Sequence, residues 1–138
     1  MEGKMFKKLI GLVLCFMLIA SLGYAVTWET DYDTAIKKAL WQEKPICLVF
    51  YSDACYYCKK LDNEVLKAAD VQELLEKFIC VRINITHNRD LARKYRVRGV
   101  PVVVLRKPGS KIEGFTGYIS KSDFIACLNQ YLLNLRGR

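Results

Sequence analysis

The sequence predicts an α/β domain, with a central mixed β-sheet and helices on both faces. Residues 46–51 form a continuous apolar run, which is typical of a strand buried in a parallel sheet. Helical segments join this run to a second apolar strand at 78–84, and that strand to a third at 102–105, so we expect these strands to be parallel. The short turn at 107–110 makes the last two strands antiparallel.

The first 25 of the 138 residues differ from the remainder of the chain. Three lysines precede the apolar run 9–20, and no charged residue follows until Glu29. The small residues Gly23 and Ala25 fit a cleavage site, so we expect residues 1–25 to be a signal peptide. An uncleaved membrane anchor is the alternative, although the run is shorter than the roughly 20 residues of a full span. A buried helix is a third reading, and residues 26–138 form the predicted domain.

The elements of the domain follow from capping residues and periodicity. We predict a lead-in strand at 27–29, a helix from Asp31 to Glu43, and, after Pro45, the strand 46–51. A helix from Cys55 to Ala69 precedes a shorter one capped by Asp70 and the strand 78–84. A helix at 88–95, strands at 102–105 and 111–115, and a final helix capped by Ser120 or Ser122 complete the order. The predicted inner faces include Leu40 in the first helix of the domain, and Leu133 and Cys127 in the last.

The chain carries a formal charge of +8, of which residues 1–25 contribute +2. The basic residues are scattered and do not form a stripe interleaved with stacking aromatic residues, which argues against nucleic-acid binding. We interpret them as a solvated basic surface. A preference for acidic partner surfaces or anionic lipids is the lesser alternative.

The cysteine pair Cys55 and Cys58 lies where a buried strand gives way to a helix. The unpaired N–H groups and positive dipole of a helix start favour a thiolate, so we expect Cys55 to be an exposed nucleophile with a lowered pKa. Cys58, one turn later, is then the more buried resolving thiol. Lys59 and Lys60 add a modest positive potential. A permanent structural disulfide and a zinc site are the alternatives; the single His87 and the absence of a second C-x-x-C argue against zinc.

Val100-Pro101 is the second notable motif, because a proline at a strand start removes a donor from the sheet. A cis bond would fix a tight bend and hold a backbone edge beside the sulfurs, where a substrate peptide could pair as an added strand. Composition alone favours an ordinary trans proline. The sequence leaves the two forms open.

Residues 48–60, from Leu48 to Lys60, resemble the active-site segment of the thioredoxin superfamily. Residues 94–101 resemble the segment that ends in its cis-proline, and the last strand and helix are similar as well. The resemblance covers about 27–135 and is closest to exported bacterial thioredoxin-like proteins. It implies a thioredoxin-like fold, with Cys55 as the attacking cysteine, Cys58 as the resolving cysteine and Pro101 as the cis-proline that contacts substrate.

The departures from thioredoxin concern the redox chemistry. Tyr56 and Tyr57 replace the Gly-Pro pair that lies between the cysteines of thioredoxin, so reductant and oxidant stay open. Val49 occupies the position of a buried aspartate, and Arg82 that of the lysine that partners it. Asp53 is close to the cysteines, but we expect an exposed turn residue. We assign Val100, Pro101, Tyr56 and Tyr57 to substrate binding, and Lys59, Arg82 and Asp53 to supporting roles.

Cys47, Cys80 and Cys127 are interpreted as buried, inert thiols. A Cys47–Cys80 disulfide is the alternative, but it would be awkward between adjacent central strands.

The sequence therefore predicts an exported, periplasmic or secreted, thiol–disulfide oxidoreductase with protein substrates and a membrane-bound redox partner. It needs no metal or organic cofactor, because the electrons travel in the cysteine pair. The alternative is a non-catalytic thioredoxin-like module that holds a partner protein at the Pro101 edge.

Overall fold

The computed structural model describes residues 2–19 and 25–137 of the chain. Helix α1 spans Glu2–Ile19. In these ranges no helix is both long enough and apolar enough to cross a membrane. Gly23, on which the predicted cleavage site depends, lies outside the described residues, so the signal peptide stays a prediction.

Five strands form one mixed sheet, in the spatial order β1-β3-β2-β4-β5. They span Trp28–Glu29, Ile46–Tyr51, Ile79–Asn84, Val102–Arg106 and Glu113–Thr116. β3 pairs in parallel with β1 and β2, whereas β4 is antiparallel to β2 and β5. The parallel β2–β3 pair and the antiparallel β4–β5 pair are those predicted, and the mixed α/β sheet is confirmed. The predicted parallel direction of the strand after 88–95 is wrong, because β4 runs antiparallel to β2 although a helix joins β3 to β4.

Helix α2 (Tyr32–Gln42) begins where the sequence predicts, because the Asp31 carboxylate accepts a 2.7 Å hydrogen bond from the Thr34 N–H. This bond lowers the pKa of Asp31. Helices α5 (Arg89–Lys94) and α6 (Lys121–Arg136) also agree with the predicted segments. Ser120, rather than Ser122, caps α6 through the Asp123 N–H.

The prediction of one continuous helix from Cys55 to Ala69 is wrong, because the helix changes form after Leu61 and ends before Ala68. Helix α3 ends at Leu61, a π-helical turn covers Asp62–Leu66, and Ala68 adopts an extended conformation before α4 (Ala69–Leu75). The side-chain amide of Gln72 donates to the carbonyl of Leu66, and this bond satisfies an acceptor that the broken helix leaves free. Asp70 lies in the first turn of α4 and does not cap it.

Two hydrophobic clusters occupy the two faces of the sheet. Alternating residues of β2 divide between them: Cys47 and Val49 pack toward α4 and α6, and Ile46, Leu48 and Phe50 pack with residues of α2. Three predicted inner positions are wrong, because Leu40 and Leu133 are more than half exposed and Cys127 is exposed. The buried stripe of α6 follows Phe124, Leu128 and Tyr131, and residue 133 is on the opposite side of that helix.

Candidate active site

The cysteine pair lies at the carboxyl end of β2, at the first turn of α3. Cys55 is the N-cap residue of α3 (Tyr56–Leu61), and its Sγ accepts a 3.0 Å hydrogen bond from the Cys58 N–H. The two cysteines form a disulfide across a Cα–Cα distance of 5.2 Å. Cys55 is partly exposed, whereas only 3% of Cys58 is exposed. The prediction that Cys55 is the more exposed and Cys58 the more buried cysteine of the pair is confirmed.

The Val100–Pro101 segment lies directly beside the sulfurs. The Val100 carbonyl oxygen is 3.6 Å from Cys55 Sγ, and the Val100–Pro101 peptide bond is cis. Pro101 is buried, and its carbonyl accepts a 2.8 Å hydrogen bond from the Gly117 N–H. Within the described residues, the Val100 N–H has no hydrogen-bond acceptor. The part of this segment that is open to a partner is therefore Val100, and not the proline ring.

Tyr56 and Tyr57 form an aromatic surface next to Cys55. Their side chains are 71% and 56% exposed, and their rings meet edge to face with centroids 5.3 Å apart. This large apolar area in water, beside a reactive sulfur, is suited to contact with a partner.

The two lysines after Cys58 have different surroundings. Lys59 is exposed, whereas the Lys60 ammonium lies 4.6 Å from the centre of the Tyr118 ring. The Tyr118 hydroxyl donates a 2.6 Å hydrogen bond to Glu64, and this bond raises the pKa of Tyr118. Sequence reasoning missed Tyr118 and Glu64, because the contact joins residues 54 positions apart.

Arg82 has a carboxylate partner that the sequence analysis did not identify. Val49 is 1% exposed and lies opposite Arg82 in the β2–β3 register. The guanidinium instead binds the Asp62 carboxylate at 2.6 Å, and stacks 4.8 Å from the Tyr51 ring centre. The sequence contains one signal for this carboxylate: Asp62 follows Cys58 by four residues, and this spacing places two side chains on the same side of a helix.

Asp53 is an exposed turn residue, as predicted, and its carboxylate accepts a 3.0 Å hydrogen bond from the Asn84 amide. Asn84, at the end of β3, is only 9% exposed, so this bond fixes the turn before Cys55 to the neighbouring strand. His87 is exposed.

The three remaining cysteines of residues 26–138 fall into two groups. Cys47 and Cys80 are buried, unbridged neighbours on β2 and β3, whereas Cys127 is exposed, contrary to the prediction. Hydrogen bonding to Cys47, followed by burial, raises the pKa of Cys80 well above its usual value. Among the residues described, no group of three or more His, Cys, Asp or Glu side chains could hold a metal ion.

Known structures share this fold. The chain aligns with a thioredoxin from Thermus thermophilus with a TM-score of 0.68 and 26% identity, covering 79% of this chain and 88% of the other. It aligns with the oxidised C-terminal domain of DsbD from Neisseria meningitidis with a TM-score of 0.66 and 24% identity, covering 75% and 98%.

The sequence comparison agrees. The thiol:disulfide interchange protein DsbD of Neisseria meningitidis serogroup A is 33% identical over 103 residues, or 71% of this chain. The chain spans only 17% of the length of that relative. The family model for a thioredoxin-like domain matches residues 32–132, which include both cysteines and Pro101. The chain therefore belongs to the thioredoxin-like domain family, and its domain, with the disulfide-capable C-x-x-C pair, is of the disulfide-oxidoreductase type.

Proposed function

We propose that this protein is a thiol–disulfide oxidoreductase that acts on protein disulfides or dithiols outside the cytoplasm. The observation that carries the proposal is the position of Cys55 Sγ: it is partly exposed, accepts the Cys58 N–H and lies beside the Val100 backbone. A donor at 3.0 Å stabilises negative charge on this sulfur more than it stabilises a neutral thiol. The arrangement suits an attacking thiolate.

The proposed reaction has two exchange steps. The Cys55 thiolate attacks one sulfur of a substrate disulfide, which forms a mixed disulfide and releases the other substrate sulfur as a thiolate. The Cys58 thiolate then attacks Cys55 Sγ, releases the second substrate thiolate and leaves the Cys55–Cys58 disulfide. Two electrons pass from the cysteine pair to the substrate. The reverse sequence oxidises a dithiol, and neither direction needs a metal or an organic cofactor.

Substrate binding is proposed to use the backbone beside the sulfurs. The free N–H of Val100 can donate to an extended substrate chain, and this contact would place a substrate sulfur close to Cys55. Tyr56 and Tyr57 would cover the apolar part of the substrate. Pro101 itself is buried, so its role is to shape the segment rather than to offer its ring.

The cellular setting is part of the proposal. The basic and apolar pattern of residues 1–25 supports export to the periplasm or the medium. A protein that works there needs a redox partner to reset its cysteine pair, and we propose a membrane-bound one. N-terminal sequencing of the exported protein tests the cleavage after Ala25; a retained N-terminus would indicate an anchor.

The test of the activity is insulin reduction with dithiothreitol as the electron donor. Wild type should accelerate the reduction, Cys55→Ser should remove the acceleration, and Cys127→Ser is the matched control with an exposed cysteine outside the pair. Equal rates for wild type and Cys55→Ser would refute the enzyme proposal and favour a binding module without turnover.

A further inference from the structure

Six of the basic residues that look scattered in the sequence belong to two segments that meet at the cysteine pair. Segments 53–60 and 93–100 meet where Val100 contacts Cys55. Together they contain six basic residues and one acidic residue, and so hold +5 of the +6 net charge on residues 26–138. The remaining residues of the domain are almost neutral in sum.

Not all six basic residues are free to meet a partner. Arg93 pairs with Asp90, and the Lys94 ammonium lies 5.2 Å from the ring centre of Tyr32. The Lys60 ammonium likewise lies 4.6 Å from the ring centre of Tyr118. Three others remain, all exposed, and we call them the basic rim: Lys59, Arg96 and Arg98.

The basic rim has no carboxylate partner of its own. In the ranges 2–19 and 25–137, none of its three residues forms an ion pair. Asp62, the acidic residue that follows Lys59 and Lys60 in the sequence, pairs with Arg82 instead. The rim therefore adds net positive charge to the exposed surface of the two segments that meet at Cys55.

The backbone that carries the two arginines is held in place. The Arg96 N–H donates to the Arg93 carbonyl at 2.9 Å, and the Val97 N–H donates to the Ala92 carbonyl at 2.9 Å. Arg96 adopts a left-handed conformation at φ 54° in this turn. The exposed Arg96 and Arg98 are thus fixed at the end of α5, immediately before the Val100 contact.

We propose that the site selects partner proteins whose reactive disulfide or dithiol is flanked by aspartate and glutamate residues. This inference rests on the proposed exchange at Cys55 and names its substrate class. Complementary charges around a docking site accelerate encounter and exclude partners of like charge. The exposed tyrosine pair supplies the apolar centre of the same surface, and tyrosine with arginine is a frequent combination in binding hot spots.

The experiment compares disulfide-linked peptide dimers that differ only in the residues beside the cysteine, which are acidic, neutral or basic. The reduced protein is mixed with each dimer, and the rate of disulfide reduction is measured. This rate is divided by the rate at which dithiothreitol reduces the same dimer, which removes differences in the intrinsic reactivity of the peptide disulfides. We expect wild type to prefer the acidic to the basic dimer by about tenfold at about 0.01 M salt, and by much less at about 0.5 M.

Two double variants localise the effect. Arg96→Glu with Arg98→Glu should reduce the acidic-to-basic ratio at least about fivefold. The control, Lys77→Glu with Lys111→Glu, makes the same charge change at exposed positions that precede β3 and β5, and should keep the wild-type ratio. Equal ratios in the two variants would show an effect of net charge only and would overturn the proposal.

The same series separates this inference from the proposed function. Hydroxyethyl disulfide is uncharged, and its reduction by wild type but not by Cys55→Ser shows exchange at Cys55. With that result, an acidic-to-basic ratio of one at low salt would overturn the substrate class alone. If Cys55→Ser reduces hydroxyethyl disulfide as fast as wild type, the proposed function itself is refuted. Binding of wild type to vesicles of anionic lipid is measured as well. If the acidic and basic dimers react at equal rates, and if Arg96→Glu with Arg98→Glu abolishes vesicle binding, the rim binds a lipid surface and the proposal is overturned.

Discussion

Arg82 and Asp62 join the sheet to the segment that follows the cysteine pair. Their side chains meet at 2.6 Å, are 28% and 20% exposed, and bridge β3 to the π-helical turn after α3. The guanidinium also lies over the rings of Tyr51 and Trp28. The ion pair and the ring contacts hold the α3 region against the sheet.

Replacing Arg82 should therefore cost more stability than replacing an exposed arginine. Arg82→Ala leaves the Asp62 carboxylate partly buried without a counter-charge and removes the ring contacts, so we expect a loss of about 2 kcal/mol. Arg93→Ala is the control, because the Arg93–Asp90 pair is 79% and 95% exposed and should cost less than about 0.5 kcal/mol. Urea unfolding measures the free energy of unfolding of both variants. Equal losses would contradict the conclusion that Arg82 holds the α3 region against the sheet.

Gly114 allows β4 and β5 to approach closely. A Cβ atom built on Gly114 would lie 2.2 Å from the Val103 carbonyl oxygen, a backbone atom that cannot move aside. Gly114→Ala should destabilise the fold by about 1–3 kcal/mol. Gly137→Ala, where the nearest atom is 3.8 Å away, should leave thermal unfolding almost unchanged. An unchanged melting temperature for Gly114→Ala would refute the close approach.

The three cysteines of residues 26–138 outside the pair should differ in reactivity toward a thiol reagent. Cys127 is exposed, whereas Cys47 and Cys80 are buried, and Cys80 has a raised pKa. With the Cys55–Cys58 disulfide intact, residues 26–138 of the native protein should react rapidly at one thiol only. Peptide mapping after brief alkylation identifies it; modification of Cys47 or Cys80 at the rate of Cys127 would contradict the packing of β2 and β3.

The raised pKa of Cys80 also predicts how stability depends on pH. The folded protein keeps the Cys80 proton at pH values where the unfolded chain releases it, so this contribution is complete below about pH 8.5 and declines as pH rises above it. Cys80→Ala should weaken the decline, whereas Cys127→Ala should retain it. Urea unfolding from neutral to alkaline pH measures the slope, and identical slopes for both variants would exclude Cys80 as its source.

The position of the cysteine pair was predictable because the signal is local. An apolar strand, a short turn and a helix start occupy consecutive residues, and together they determine the exposure of Cys55 and Cys58. The same holds for the Asp31 cap and for the turn between β4 and β5.

Contacts between distant residues were not predictable in this way. Asp62 as the partner of Arg82, and Glu64 as the partner of Tyr118, depend on how the helices pack on the sheet. Residues 55–69 have helical propensity throughout, yet these tertiary contacts accompany a π-helical turn and a break. The concentration of positive charge was also hidden, because segments 53–60 and 93–100 meet only in the fold.

Trapping the mixed disulfide tests the central claim most directly. In Cys58→Ser, the Cys55 thiolate can attack a substrate disulfide, but no resolving thiol can release it, so a covalent adduct on Cys55 should accumulate and be identified by peptide mass spectrometry. Cys55→Ser, which keeps only the buried Cys58 of the pair, should form little or no adduct on Cys58. An adduct on Cys58 that equals the one on Cys55, or no adduct on Cys55 in Cys58→Ser, would contradict the assignment of Cys55 as the attacking sulfur.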